Sequence, residues 1–467
     1  MLSSPNSVSR MNRSVLSPLR ASRRSGAVPA RAGLCYVGRA CAAATLALLV
    51  SSPVSADEPP FTLAEAQRVA LLRSKQLEAS QLGVSASKAL GIAAGERPDP
   101  VAKIGLENLP INGPERFSVQ RDFMTMRSVG IMQEITRPSK LRARAAESGE
   151  AVRLAEAKQV QTLVELRRDS ALAWLNRYYA EAADRTVLQQ LEAVRLEVTA
   201  ADAAYRGGHG TAADVLTARQ AFAEFEDLAS ESSREVSAAK LALDRWVPGA
   251  SDHALVGNPA IDAIPLHKHG LDAQLARHPE ILALERREKL ARAGAEAARA
   301  DRRPDWSVEL VYSQRGIGYS NMVTLELTVP LEIRRASRQD QRLAAKLAEA
   351  SQAKAEREDM LREHAAEIAT MIDAWDSARE RLERYRTSIV PLATDRVVAA
   401  RAAYRGGKAT LTDLLTSHRA EIDARLKALQ LEAIAARLWA QLAFLEAPPE
   451  TLAAIPVSVD ADQGALP

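Results

Sequence analysis

Fifteen residues recur 199 positions further along the chain with ten identities: Ala203-Ala204-Tyr205-Arg206-Gly207-Gly208-His209-Gly210-Thr211-Ala212-Ala213-Asp214-Val215-Leu216-Thr217 against Ala402 to Thr416. A match of this length marks an internal duplication, so the chain is expected to fold as two versions of one unit. Each copy follows a long segment nearly free of glycine and proline and rich in Ala, Glu, Arg and Leu, which favour helix. These segments are Ser139 to Ala204 and Arg335 to Ala403, the second interrupted by Pro391. At about 1.5 Å per residue they make helices on the order of 100 Å long, far beyond the diameter of a globular domain. Val160, Leu163, Val164, Ala171, Trp174, Leu175 and Tyr178 recur at helical spacing, the pattern of helices packed side by side, as in a coiled coil.

Gly207-Gly208 and Gly406-Gly407 supply residues that can take the positive φ ending a helix. Thr211-x-x-Asp214 and Thr410-x-x-Asp413 then fit the hydroxyl-x-x-acid box that satisfies free N–H groups at a helix start. Helices are therefore predicted to resume from Thr211 to about Trp246 and from Thr410 to about Leu445, giving two antiparallel hairpins.

The remainder of each repeat carries strand patterns. Val323, Leu325, Leu327, Val329 and Leu331 alternate with Met322, Thr324, Glu326, Thr328 and Pro330, and Trp306, Val308, Leu310 and Tyr312 alternate with polar neighbours except at Val311, which breaks the pattern. The counterparts in the first repeat are Ala102, Ile104 and Leu106, then Val129, Ile131 and Ile135, joined by a polar loop from about Leu109 to Asp122. Arg97-Pro98-Asp99 and Arg303-Pro304-Asp305 introduce the two strand pairs. Shorter helical segments, Leu63 to Gly95 and Leu271 to Ala300, lead into them.

The expected organisation is a signal peptide at 1–56, a first repeat at 57–247, a linker at 248–267, a second repeat at 268–447 and a C-terminal tail at 448–467. Seven arginines and no acid precede Asp57, around an apolar run from Ala40 to Val50, and Val54-Ser55-Ala56 offers a cleavage site; Met11 is a second candidate start. Removing this segment takes the formal charge from +3 to −4 and discards Cys35 and Cys41, which leaves no disulfide and no case for a nucleic-acid partner. No apolar run of about 18 residues follows, so a membrane could be crossed only by strands. Four strands cannot close a barrel alone, because single-chain bacterial barrels begin at about eight, so the edges must be shared between copies.

The duplicated Tyr-Arg-Gly-Gly-x-x-Thr-x-x-Asp-[Val/Leu]-Leu turn resembles the repeated tip motif of the TolC family, a likeness that extends over almost all of the mature chain. Pro98-Asp99-Pro100 through Gly105-Leu106-Glu107-Asn108, with Gln133-Glu134-Ile135 and Pro138-Ser139-Lys140, resembles the branch serving heavy-metal exporters of the cobalt-zinc-cadmium and copper type. The resemblance implies a mainly α protomer with a transmembrane β-barrel contribution. Four strands per chain would join a 12-stranded trimeric barrel, above a long α-helical periplasmic tunnel. It implies a homotrimer in outer-membrane lipid, a periplasmic adaptor protein and an inner-membrane RND-type proton-driven pump.

The same resemblance puts Asp214 and Asp413 near a periplasmic constriction, where three copies of each would ring the axis and attract cations. Local capping is the other duty open to these acids. Gly207, Gly208, Thr211, Gly406, Gly407 and Thr410 form turns beside which an adaptor's helical hairpin is expected to dock. Tyr205, Arg206, Tyr404 and Arg405 have two readings, inter-helix hydrogen bonds that hold the tip shut or aromatic packing with solvated arginines. The seven histidines, His209 and His267-Lys268-His269 among them, lack the spacing of a metal site, so none is predicted. With no phosphate-binding glycine loop, no Gly-x-Ser-x-Gly and no nucleophile-base pair, neither catalysis nor a cofactor is expected. Two further readings remain open: the same duct used for drugs or secreted polypeptides, and a periplasmic coiled-coil adaptor, which would have one hairpin and a lipoyl-like β-domain.

Overall fold

The computed structural model describes residues 61–257, 259, 261–265 and 275–445. The predicted signal peptide with Cys35 and Cys41, His267 to His269, and the tail at 448–467 lie outside them. By internal contacts the chain divides into Met1–Asp57 and Glu58–Pro467, and every described residue belongs to the second unit.

The predicted first helical segment is two helices, α1 (Leu63–Arg73) and α2 (Lys75–Gly95). The break falls at Ser74, whose extended backbone and Oγ cap α2 by accepting from the Leu77 N–H at 3.1 Å. Strands β1 (Val101–Glu107) and β2 (Met126–Ile135) follow, then α3 (Pro138–Arg206) and α4 (Ala212–Asp244). The second repeat runs through α5 (Pro279–Ala300), β3 (Trp306–Gln314), β4 (Met322–Thr328), α6 (Gln339–Arg384), α7 (Val390–Arg405) and α8 (Leu411–Ala443).

With 69 residues, α3 is about 100 Å long. Pro138 is tolerated at its first position because that N–H has no helical partner. Its counterpart in the second repeat is broken by one π-helical turn, Tyr385–Ile389, just before Pro391. The cause is local. Proline lacks an N–H and its ring crowds the carbonyl one turn back, and the wider turn, closed by Val390 N–H on the Tyr385 carbonyl, relieves both.

The four strands form one antiparallel sheet in the order β1-β2-β3-β4, so the two repeats meet through β2 and β3. Register sorts the faces. Ile104 lies opposite Val129, Val129 opposite Tyr312 and Tyr312 opposite Val323, while Ala102, Ile131, Leu310 and Leu325 form the next apolar row. The other face carries Lys103, Ser128, Glu309, Ser313, Thr324 and Glu326, with Lys103 paired to Glu309. The apolar face is bare, with Ile104 85% and Leu325 73% exposed. The strand predicted to reach Leu331 ends at Thr328, before Pro330, which has no N–H to donate; Val329, Leu331 and Ile333 stay exposed.

Among the described residues two main cores hold the helices together. The larger lies around the middle of α3, where Trp174 and Leu175 pack with Phe61, Ala66 and Ala70 of the chain's start, Ile368, Ile372 and Trp375 of α6, and Ala436 and Leu442 of α8. Trp174 Nε1 donates to the Phe61 carbonyl, and buried Arg177 donates to the Ala250 and His253 carbonyls, so the predicted linker is tied to α3 where it begins. The smaller core joins the hairpins. Val187, Val194 and Ala201 of α3 and Val215, Ala218 and Phe225 of α4 meet Leu411, Leu414, Leu415 and Ile422 of α8. Fully burying Leu414 and Ile422 contributes about 1.5–3 kcal/mol each.

Among the described residues no helix is long and apolar enough to cross a membrane.

Candidate functional site

The duplicated motif builds the two helix-to-helix turns with the same bonds. At the end of α3, Gly208 has φ +74°, its N–H donates to the Tyr205 carbonyl at 3.1 Å, and the His209 N–H reaches the Ala204 carbonyl at 2.9 Å. At the end of α7, Gly407 has φ +67°, and the Gly407 and Lys408 N–H groups reach the Tyr404 and Ala403 carbonyls at 3.0 and 2.8 Å. Both are Schellman closures, which need a residue that takes positive φ without strain. Gly207 and Gly406 sit in ordinary right-handed geometry as the last caps.

The capping boxes are also duplicated. Asp214 N–H donates to Thr211 Oγ1 at 3.2 Å, while Asp214 Oδ2 accepts from the Thr211 N–H and hydroxyl at 2.9 and 2.7 Å. Thr410 and Asp413 repeat this at 3.2, 3.0 and 2.7 Å. The threonine hydroxyl and then its N–H hold both carboxyl groups below the usual aspartate range, so each is ionised at neutral pH. Capping occupies one oxygen of each acid and keeps the negative charge; it does not consume it.

The two turns differ in surroundings. Leu216 on α4 is 65% exposed, whereas its repeat partner Leu415 is 7% exposed against the hairpin core. Tyr205 is exposed, but Tyr404 packs against that core; burial, then the nearby Asp214 and Glu197 carboxylates, push its phenol upward. The fold thus brings Tyr404 of one repeat beside Asp214 of the other. Arg206 pairs along its own helix with Asp202, and Arg405 faces solvent. The phenol hydroxyls of Tyr205 and Tyr404 make no hydrogen bond among the described residues.

Sequence reasoning passed over the groups that clamp the hairpins together. Arg401 on α7 bonds Glu197 on α3 at 3.2 Å and contacts His418 Nε2 on α8 at 3.1 Å. Glu197 and His418 are buried. Glu197 is held below the usual glutamate range first by His418, against the cost of burial, and then by Arg401. Glu421, buried nearby, accepts from Thr394 and Arg425. A weak signal existed: shifted by the repeat offset, Arg401 and His418 fall on Asp202 and Arg219, which also face each other, at 4.0 Å, with an acid standing where the second repeat has Arg401.

At the other end, Asp305 of the predicted Arg-Pro-Asp motif joins the repeats beneath the sheet. Its carboxylate accepts from Lys140 Nζ at 2.8 Å and the Arg137 N–H at 3.1 Å. A cleft of about 1100 Å³ opens there, bordered by Lys140, Asp301, Asp305, Arg338 and Arg342.

This architecture, four strands from two repeats on a body of long helical hairpins, is the fold of outer-membrane efflux channels. The outer-membrane channel OprN superposes with a TM-score of 0.70 at 22% identity, covering 83% of this chain and 90% of that one. VceC of Vibrio cholerae gives 0.68 at 18%, covering 82% and 95%. The CmeC outer membrane channel of Campylobacter jejuni gives 0.70 at 14%, covering 84% and 88%. Residues 270–446, the second repeat, match the family described as outer membrane efflux protein. No curated protein sequence matches the chain significantly.

Proposed function

We propose that three copies of this chain assemble a passive outer-membrane duct that carries substrate from the periplasm to the exterior, as the outlet of a tripartite efflux system. The observation that carries this reading is the sheet: β1 and β4 are unpaired edges, and one face is a bare apolar surface. Backbone groups at such edges cannot stay unpaired in lipid. Pairing β4 of one copy with β1 of the next gives each edge a partner, and three copies supply twelve strands, an even number within the range of closed barrels.

The helical hairpins continue the duct below the membrane, and the paired turns form its periplasmic end. There Asp214 and Asp413 act as an acidic constriction, with Tyr205, Tyr404, Arg206 and Arg405 around it. Gly207, Gly208, Thr211, Gly406, Gly407 and Thr410 shape the grooves that receive an adaptor bound to an RND-type pump, which supplies the energy. Exposed apolar residues on the first hairpin, Leu188, Leu196 and Leu216, suit packing against a neighbouring copy.

Heavy-metal cations are the cargo this reading favours, on the resemblance of the segments at 98–108 and 133–140 and on the ionised acids at the tips. Purified protein in a planar bilayer should give discrete cation-selective conductance. Deletion of the gene should lower tolerance of zinc, cobalt, cadmium, copper or silver while leaving tolerance of a detergent and a dye unchanged. Absence of conductance refutes the duct; sensitivity to the dye and detergent alone refutes the cargo.

A further inference from the structure

The sequence spacing predicted no metal site, yet the fold assembles a donor set that no helix pattern could reveal. His278 caps the start of α5, Glu280 lies in the first turn of that helix, and His364 projects from α6 across the helix pair. His364 Nε2 is 3.0 Å from Glu280 Oε2, and the two imidazole rings lie 4.6 Å apart between centroids. The ligating atoms of His278, Glu280 and His364 all lie within 4.8 Å of one another. On the far side of His364, Glu367 Oε2 is 3.3 Å from Nδ1, the outer carboxylate that commonly fixes the tautomer of a ligating histidine.

We infer that His278, Glu280 and His364 form a binding site for a zinc-like divalent cation, fastening the start of α5 to α6. Two imidazoles and one carboxylate match the donors that Zn²⁺ prefers, with a fourth position left for water. A tetrahedral centre with bonds of about 2.1 Å needs donors roughly 3.4 Å apart, so side-chain rotation of about an ångström closes the set.

A further observation points the same way. His278 Nδ1 is buried with no hydrogen-bond partner, an unmatched polar atom for which a native structure normally has a reason. Of the charged groups facing the cluster, Arg168 on α3 is engaged with Asp169 at 2.9 Å, which leaves Glu280 and Glu367 to balance the ion. The site lies in the body of the protomer, away from the turns, and does not depend on the duct or on its cargo.

The test uses untagged, chelator-stripped mature protein in detergent, titrated with Co²⁺ and then Zn²⁺. One Co²⁺ per chain should bind, with the visible absorption of a low-coordinate nitrogen-ligated ion, and one equivalent of Zn²⁺ should displace it. His278→Gln and His364→Gln should each weaken binding at least tenfold, while His209→Gln leaves it unchanged. If either variant fails to fold, the wild type still decides: Zn²⁺, unlike Mg²⁺, should protect His278 and His364 from carbethoxylation read by mass spectrometry. Sub-stoichiometric binding, binding unaffected by both substitutions, or equal modification with and without Zn²⁺ would each overturn the site. Bilayer conductance, which reports the duct, is expected to be the same in all these proteins.

Discussion

The adjacent glycines Gly406 and Gly407 should respond unequally to the same substitution. Gly407 has φ +67° with open space where a Cβ would stand, so Gly407→Ala carries a backbone cost and no clash. Holding an L-residue in left-handed geometry costs about 1–2 kcal/mol. Gly406 has φ −83°, and its added Cβ would meet the Ala402 carbonyl at 3.4 Å, ordinary contact. Gly406→Ala should therefore stay within about 0.5 kcal/mol of wild type, because the loss of unfolded-chain freedom offsets any crowding. The difference between the variants, about 1–2 kcal/mol, corresponds to roughly 5- to 30-fold in the opening equilibrium of the turn. Hydrogen exchange read by mass spectrometry over residues 400–415 measures that opening through the Gly407, Lys408 and Asp413 amides. Gly407→Asn should fall between the two, since asparagine tolerates the left-handed region better than alanine. Equal acceleration in the two alanine variants, or a larger effect at Gly406, would refute the assigned turn.

Asp214→Asn with Asp413→Asn should lower cation selectivity in planar bilayers while both helices keep their starts, because Thr211 and Thr410 remain the N-caps and an asparagine Oδ1 still accepts from the threonine N–H; unchanged selectivity would leave these acids with capping alone. For Glu197, whose folded pKa is depressed, the stabilising contribution is present above its ordinary 4.5 and is lost as pH falls from there through the folded value. Exchange of the facing segments of α3 and α8 should therefore rise below that pH, and Glu197→Gln should remove this part of the acid response; an identical profile would show that the clamp carries no titration. Lys140→Ala should cost about 2–3 kcal/mol by stranding the Asp305 carboxylate, read as a lower midpoint of thermal unfolding by circular dichroism; no shift would mean that Arg137 alone satisfies Asp305.

Much of this fold is legible in the sequence where one physical rule acts locally. The period of two at Val308, Leu310 and Tyr312 and at Val323, Leu325 and Leu327 marks strands whose faces have different solvents, and the register preserves that sorting across all four. Gly207-Gly208 with Thr211-x-x-Asp214 reads directly as a helix end followed by a helix start, because both signals are backbone requirements. Ser74 was missed because one serine among helix formers reads as a tolerated interior residue until its cap geometry is seen. Pro391 warned of an interruption but did not specify a π turn, since proline removes one bond without dictating how the ladder recovers. The duplication that exposed the architecture also concealed its asymmetry: Leu216 and Leu415 are the same residue in the motif, yet Leu415 is covered by the hairpin core and Leu216 is left exposed. Glu197, Arg401 and His418, like His278 and His364, become neighbours only when distant helices pack, and no local period records that.

In the proposed trimer β1 of one copy pairs with β4 of another. With Cys35 and Cys41 replaced by serine, single cysteines introduced in pairs, one within 101–107 and one within 322–328, give a clean readout in outer membranes. Within one copy the two edges lie three strand spacings apart, about 14 Å, beyond the roughly 7 Å between Cα atoms that a disulfide can bridge. Oxidation should therefore produce covalent dimers and closed trimers for the pairs in register; a chain that stays monomeric for every pair would contradict the account.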